Sequence, residues 1–216
     1  MEQRIFAVGD IHGTLGKLRT LLDRLPVTEQ DTVVFMGDYI NRGPDAKGVI
    51  DLLLEFRAHH PDTIFLMGNH EYELLEYAHT HDTEHLQTLR RLGVEATLES
   101  YGDAPVSALR DLSFMPAEHA AFLEELLPFY RQDGYLFVHG GVTPGCTPEE
   151  CPLDVMLALR GSFLTDPWQG PETVVFGHTS FQTPFVAERK IGIDTGAVLG
   201  NLLTAVELPR LRFYHA

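Results

Sequence analysis

Cysteine is scarce: Cys146 and Cys151 are the only two in 216 residues. Both fall in one Pro-rich segment, GCTPEECP, with no second pair and no histidine beside them. That excludes a structural zinc site of the usual ligand spacing, and two free loop thiols are expected. Positive charge is also short. Sixteen Lys and Arg face 31 Asp and Glu, a formal net charge of −15. No basic stripe displaces counterions from nucleic acid, and an acidic membrane surface offers no attraction. No apolar run approaches the roughly 20 residues that cross a bilayer. The opening segment, MEQRIFAVGD, has no basic region leading into an apolar one, so no signal peptide is expected. These absences point to a soluble, cytoplasmic protein without nucleic-acid or membrane partners. Internal repeats and low-complexity tracts are missing too.

What is present is a globular composition, 44% hydrophobic and 22% charged, in a length that suits one domain over residues 1–216. Short apolar, β-rich runs recur without polar alternation, as strands buried on both faces do. They are Arg4–Val8, Thr32–Met36, Thr63–Met67, Tyr135–Val138 and Thr173–Phe176. Leu15, Leu18, Leu22 and Leu25 follow the first run at helical spacing. Val49, Leu52, Leu53 and Phe56 follow the second, with Pro44 near the helix start. Alternating strands and helices predict βαβ units and an α/β fold. Residues 72–129 read as a helical insertion without a strong strand. Beyond Pro184, residues 185–187, 190–193, 202–207 and 211–214 read as strands separated by turn signals.

Each of the first five runs ends in a glycine or histidine cluster: GDIHG at 9–13, GDYINRG at 37–43, GNHE at 68–71, HGG at 139–141 and GHT at 177–179. Ligands of open α/β sheets sit beyond the carboxyl ends of strands. Taken singly, an Asp after Gly is a turn residue and a lone His is a structural one. Taken together, Asp10, His12, Asp38, Asn69, His70, His139 and His178 gather at the same end of the fold. Buried charges of this kind are costly unless paired or metal-bound. The flanking glycines allow tight turns and close backbone approach.

These five clusters, in this order, resemble the motif series of the phosphoprotein phosphatase family of calcineurin-like metallophosphoesterases, in particular its bacterial serine/threonine-phosphatase branch. The resemblance implies a four-layer αββα sandwich of two mixed sheets with a dinuclear metal centre at its edge. By motif, Asp10 and His12 would hold one metal, Asp38 would bridge, and Asn69, His139 and His178 would complete the second site. Mixed O and N donors suit Mn²⁺, Fe or Zn²⁺ rather than Ca²⁺, and Mn²⁺ is the expected activating ion. The implied nucleophile is a hydroxide bridging the two metals. Arg42, a fork donor, would clamp the phosphate together with Asn69 and His70, and His70 would protonate the leaving oxygen. Arg160, in LALRGSF, is the candidate for a second phosphate arginine.

One residue departs from the pattern. The family has Asp where this chain has Asn41, and Asn41 is expected to accept a hydrogen bond from His70 through its carbonyl oxygen. Without the negative charge, His70 should titrate lower than it would beside Asp. His59, His60, His79, His81 and His85 are expected on the surface, and His119 and His215 carry no motif. The activity implied is hydrolysis of phosphoserine, phosphothreonine or phosphotyrosine in proteins, or of a small phosphoester. The alternatives are symmetrical hydrolysis of diadenosine tetraphosphate and, in another class, a catalytically silent metal-binding regulatory module.

Overall fold

Four-residue strands, buried along their whole length, frame the molecule: β1 (Ile5–Val8) and β2 (Thr32–Phe35). The structure is a computed structural model and describes residues 3–216. Helices α1 (Leu15–Arg24) and α2 (Ala46–His59) cross over between β1, β2 and β3 (Thr63–Phe65), which pair in parallel. Asp45 caps α2 by accepting from the Gly48 N–H at 2.8 Å, immediately after Pro44.

The middle segment is helical: α3 (Asn69–Thr80), α4 (Thr83–Arg91), α5 (Val94–Ser100), a 3₁₀ turn at Val106–Arg110, and α6 (Ala117–Glu124). Its first helix opens on Asn69, ahead of the expected boundary at residue 72. The GNHE cluster is therefore the first turn of that helix. At its far end lies a strand that the apolar pattern did not reveal, β4 (Phe129–Gln132). It is a half-buried edge strand that mixes aromatic and polar residues.

The second half adds β5 (Tyr135–Val138), α7 (Leu153–Ala158), α8 (Ser162–Thr165), β6 (Thr173–Phe176), β7 (Phe185–Ala187), β8 (Lys190–Gly192), β9 (Thr204–Leu208) and β10 (Arg212–His215). Two five-stranded mixed sheets result, in the orders β10-β9-β1-β2-β3 and β4-β5-β6-β8-β7. Strand alternation sets the layers. Ile5, Ala7, Val34 and Met36 meet Phe137, Val175 and Ile191 between the sheets. Phe6, Val8, Val33 and Phe35 point the other way, into α1 and α2 and the helical insertion. Val138, Val174 and Phe176 pack against Met156 and Phe163 of α7 and α8. The architecture is the four-layer αββα sandwich. Each fully buried Ile, Val or Phe contributes roughly 1.5–3 kcal/mol, so the inter-sheet layer is a rigid base for the loops above it.

Several expectations need correction. Cys151 is a core residue, packed beside Val138 and Met156, and only Cys146 keeps the partial exposure of a loop thiol. His60 stacks on Phe56 with ring centroids 4.4 Å apart, and His85 is half-buried against Glu73 at 2.8 Å. His119, which carries no motif, is fully buried between Tyr101 and Asp51. No helix among the described residues is long and apolar enough to cross a membrane.

Candidate metal centre

The loops that follow β1, β2, β3, β5 and β6 all emerge at one end of the two sheets. They hold side chains in place by accepting unusual backbone conformations. His12, Asp38, Asn41, Arg42 and His178 are non-glycine residues with φ of 46°, 54°, 66°, 66° and 60°. Left-handed conformations of this kind cost on the order of 1–3 kcal/mol each and persist where surrounding contacts over-determine them. Those contacts are present. The N–H groups of Ile11 and His12 both donate to the Asp38 carbonyl, at 3.1 and 2.7 Å, and that of Gly13 donates to Tyr39 at 2.9 Å. Gly177 is required by close approach: a Cβ there would collide with the Asp10 carboxylate.

The side chains converge on Asp38, which is buried. Its Oδ2 lies 3.4 Å from His12 Nε2 and 3.8 Å from His70 Nε2, and its Oδ1 lies 3.4 Å from His139 Nε2. Two groups of donor atoms form, His12–Asp38–His70 and Asp38–His139–His178, sharing only Asp38. Asn69 Oδ1 stands 3.2 Å from His139 Nε2. Asp10 sits one step aside, both of its oxygens accepting from the His178 backbone N–H at 3.1 and 3.0 Å. The predicted donors are thus brought together. His70, expected as a proton donor rather than a metal ligand, is grouped with His12 and Asp38.

Two arginines border the cluster. Arg42 donates from Nη1 to His12 Nε2 at 3.0 Å, and Arg160 from Nε to His178 Nε2 at 2.8 Å. Both are otherwise exposed, so each guanidinium links solvent to a buried imidazole. Arg160 therefore stands at the site, in the place opposite Arg42.

Sequence reasoning missed three residues. Glu71, fully buried, accepts the N–H groups of Asp38 and Gly68 on Oε2, at 3.0 and 3.1 Å, and those of Tyr39 and Ile40 on Oε1, at 2.8 and 3.2 Å. It ties the Asp38 loop to the first turn of α3, and its place in GNHE was its only signal. Asp194, at the end of β8, accepts from Ser180 and from the Gly196 N–H, fastening the His178 loop. Thr97, in α5, carries no motif. It changes the expectation for Asn41: the Thr97 hydroxyl donates to Asn41 Oδ1 at 2.8 Å. The Asn41 amide nitrogen, rather than its carbonyl, therefore faces His70 Nδ1, at 3.0 Å.

Electrostatics make the cluster a poor resting place for bare charge. Burial, then Asp194, raises the Asp10 pKa well above the ordinary carboxylate value. Asp38 is pulled down instead: burial opposes ionisation, but the surrounding histidines, His139 first, outweigh it. Burial also opposes charge on His139, yet the Asp38 and Asp10 carboxylates raise it to about 10. His70 and His178 are each pushed down to about 3, burial being the main cause. Below its raised pKa, His139 holds a proton that a cation must displace, so metal affinity should climb as pH rises toward about 10. Calorimetric titration at pH 8 in buffers of differing ionisation enthalpy should register a net release of protons on metal binding. Heats that do not depend on the buffer would contradict the pairing of Asp38 with His139.

The residues fit a pair of divalent cations. His12 and His139 donate from Nδ1 to the carbonyls of Ile40 and Met36, at 3.1 and 2.8 Å. Each thereby turns the lone pair of Nε2 inward, the usual outer support of a metal-ligating histidine. The mixed oxygen and nitrogen donors suit first-row divalent ions.

Comparison with known proteins gives the same reading. A family model described as calcineurin-like phosphoesterase matches residues 3–197. The chain is 27% identical to a bis(5'-nucleosyl)-tetraphosphatase PrpE (asymmetrical) from Halalkalibacterium halodurans, covering 95% of this chain and 90% of that protein. A solved structure assigned provisionally as a diadenosine tetraphosphatase superposes with a TM-score of 0.75 at 24% identity, over 99% of this chain and 93% of the other. A cold-active protein tyrosine phosphatase gives 0.71 at 17% identity, over 100% and 76%.

Proposed function

The chain belongs to the calcineurin-like phosphoesterase family, and on that premise we propose that it hydrolyses a small nucleotide phosphoanhydride of the dinucleoside tetraphosphate class. It is a metal-dependent phosphoesterase. The observation that carries the proposal is the pair of exposed arginines, Arg42 and Arg160, on either side of the buried donors that share Asp38. In this reading Asp10, His12, Asp38, Asn69, His139 and His178 hold two divalent cations, with Mn²⁺ the expected activating ion. Such a pair, when bound, acts as a Lewis acid toward phosphoryl oxygen and makes water a better nucleophile at neutral pH.

The protein's own groups do the rest. Arg42 and Arg160 give up their bonds to His12 and His178 and turn to the non-bridging phosphate oxygens, where a fork of N–H donors matches phosphate geometry. Asn69 presents its side chain at the head of α3, where the helix N-terminus favours negative charge. His70 aims Nε2 inward beside Asp38. Asp194 and Glu71 hold the two loops in register.

The nucleotide reading is supported by relatives that match nearly end to end and carry that activity in their names. For that reason we prefer it to the phosphoprotein substrate that the motif series first implied. Turnover should be measured with Mn²⁺, with and without chelator, on diadenosine tetraphosphate and on phosphoserine, phosphothreonine and phosphotyrosine peptides. Chelator-sensitive cleavage that favours the dinucleotide is expected, and the nucleotide products read whether cleavage is symmetrical or asymmetrical. A preference for phosphopeptides would return the chain to the protein phosphatases, and no metal-dependent turnover of any substrate would overturn the assignment.

A further inference from the structure

Lys190 is a buried cation held by neutral partners. It lies in β8, whose three residues are all buried, and only 4% of its surface is exposed. Strand alternation turns its neighbour Ile191 between the two sheets and sends Lys190 to the other face, against α8. There its ammonium donates to the backbone carbonyls of Phe163 and Asp166 and lies 4.8 Å from the centroid of the Phe163 ring. Two carbonyls and one π-face use its three N–H groups. Burying an ammonium is costly even when it is hydrogen-bonded. Burial lowers the Lys190 pKa from the ordinary lysine value, with Asp166 pulling the other way. Apolar side chains of similar volume commonly replace such buried charge without loss of stability. The charge therefore calls for a reason other than stability.

The segment it holds supplies one. Phe163 stands one helical turn beyond Arg160, and its N–H donates to the Arg160 carbonyl at 2.9 Å. Gly161, with φ of 28°, makes the bend between them. The Phe163 ring rests on Gly141, where a Cβ would come within 2.7 Å of it, and meets the Phe176 ring edge-on at 5.2 Å. Gly141 belongs to the His139 loop, and Phe176 ends the strand that leads to His178. Phe163 is thus wedged against both loops while Lys190 grips its carbonyl from β8. We infer that Lys190 is a positioning residue for Arg160: it fastens the turn from Phe163 to Asp166 onto β8 and thereby fixes where the Arg160 guanidinium stands beside the metal centre. A clamp that is displaced by even 1 Å loses much of its effect on a bound group. The inference rests on the reading of Arg160 as a phosphate clamp and adds a residue that acts only through it.

A double-mutant cycle tests it. Wild type, Lys190→Met, Arg160→Ala and the double variant are compared in the presence of Mn²⁺. The readouts are kcat/KM on p-nitrophenyl phosphate and the dissociation constant of inorganic phosphate. Arg160→Ala should lower kcat/KM by about 10–10²-fold, the loss of a charge-assisted hydrogen bond. Lys190→Met should lower it by about 10-fold, chiefly through KM, because it leaves the clamp present but misplaced. The double variant should match Arg160→Ala within about twofold, since Lys190 has nothing left to position. The Tm of Lys190→Met should stay within about 4 °C of wild type, as relief of the buried charge offsets the lost hydrogen bonds. Amide hydrogen exchange over residues 161–166 should nevertheless quicken. Losses that multiply in the double variant, or a wild-type kcat/KM in Lys190→Met, would overturn the inference. Wild-type phosphate affinity and turnover in Arg160→Ala would instead strike the clamp reading on which it rests. Should no phosphoester be hydrolysed, the functional reading fails and the cycle is read on phosphate affinity alone.

Discussion

Replacing Asp38 with Asn is expected to lower kcat by roughly 10³-fold, equivalent to about 4 kcal/mol of transition-state stabilisation. Asp38 is the one side chain shared by both donor groups, with histidine nitrogens of the two groups at 3.4 Å from its two oxygens. Asparagine keeps its shape and its left-handed turn, since Asn tolerates positive φ better than most residues. The fold should therefore survive while the central charge is lost. Bound metal measured on the purified variant should fall along with turnover, and the circular dichroism spectrum should not change. Full activity in Asp38→Asn would mean that the shared carboxylate is not where the chemistry is organised.

The second large effect is on stability. Glu71→Ala removes the acceptor for four backbone N–H groups, those of Asp38, Tyr39, Ile40 and Gly68. A buried donor left unsatisfied costs about 1–3 kcal/mol, less where water enters the space vacated. A loss of about 4 kcal/mol is expected in all, or roughly 8–16 °C in Tm for a chain of this length. Glu71→Gln should fall between, because its amide nitrogen would meet two of the four donors and its oxygen would still serve the other two. Thermal melts of the metal-free proteins separate this role from metal binding. A Tm within about 1 °C of wild type for Glu71→Ala, where ordinary surface substitutions lie, would show that the Asp38 loop holds its shape without the carboxylate.

The fold was legible where burial is uniform. The runs at Ile5–Val8, Thr32–Phe35 and Thr173–Phe176 are apolar because they are covered on both faces, and their shortness marks them as strands. Edge strand β4 was not legible, because FYRQ is two aromatic residues followed by two polar ones, neither an apolar run nor an alternation, and is only half covered. Nor was the exact start of α3, because a helix that opens on Asn69 and His70 spends its first turn on the site and shows no apolar stripe there. The gathering of Asp10, His12, Asp38, Asn69, His139 and His178 at one end of the sheets was readable because each sits in a short, glycine-flanked strand end. Thr97 was not, since a threonine 56 residues from Asn41 reaches it only through the packing of α5. The same separation explains why Asn41 was expected to turn its carbonyl toward His70: the residue that fixes its orientation lies outside every motif.

The central claim is that two cations sit among these donors with Asp38 between them. Crystals grown with Mn²⁺ and measured near the manganese absorption edge test it most directly. Two anomalous peaks, flanking the Asp38 carboxylate and contacting His12, His139 and His178, are predicted. No peak there, or manganese bound only elsewhere on the surface, would contradict it.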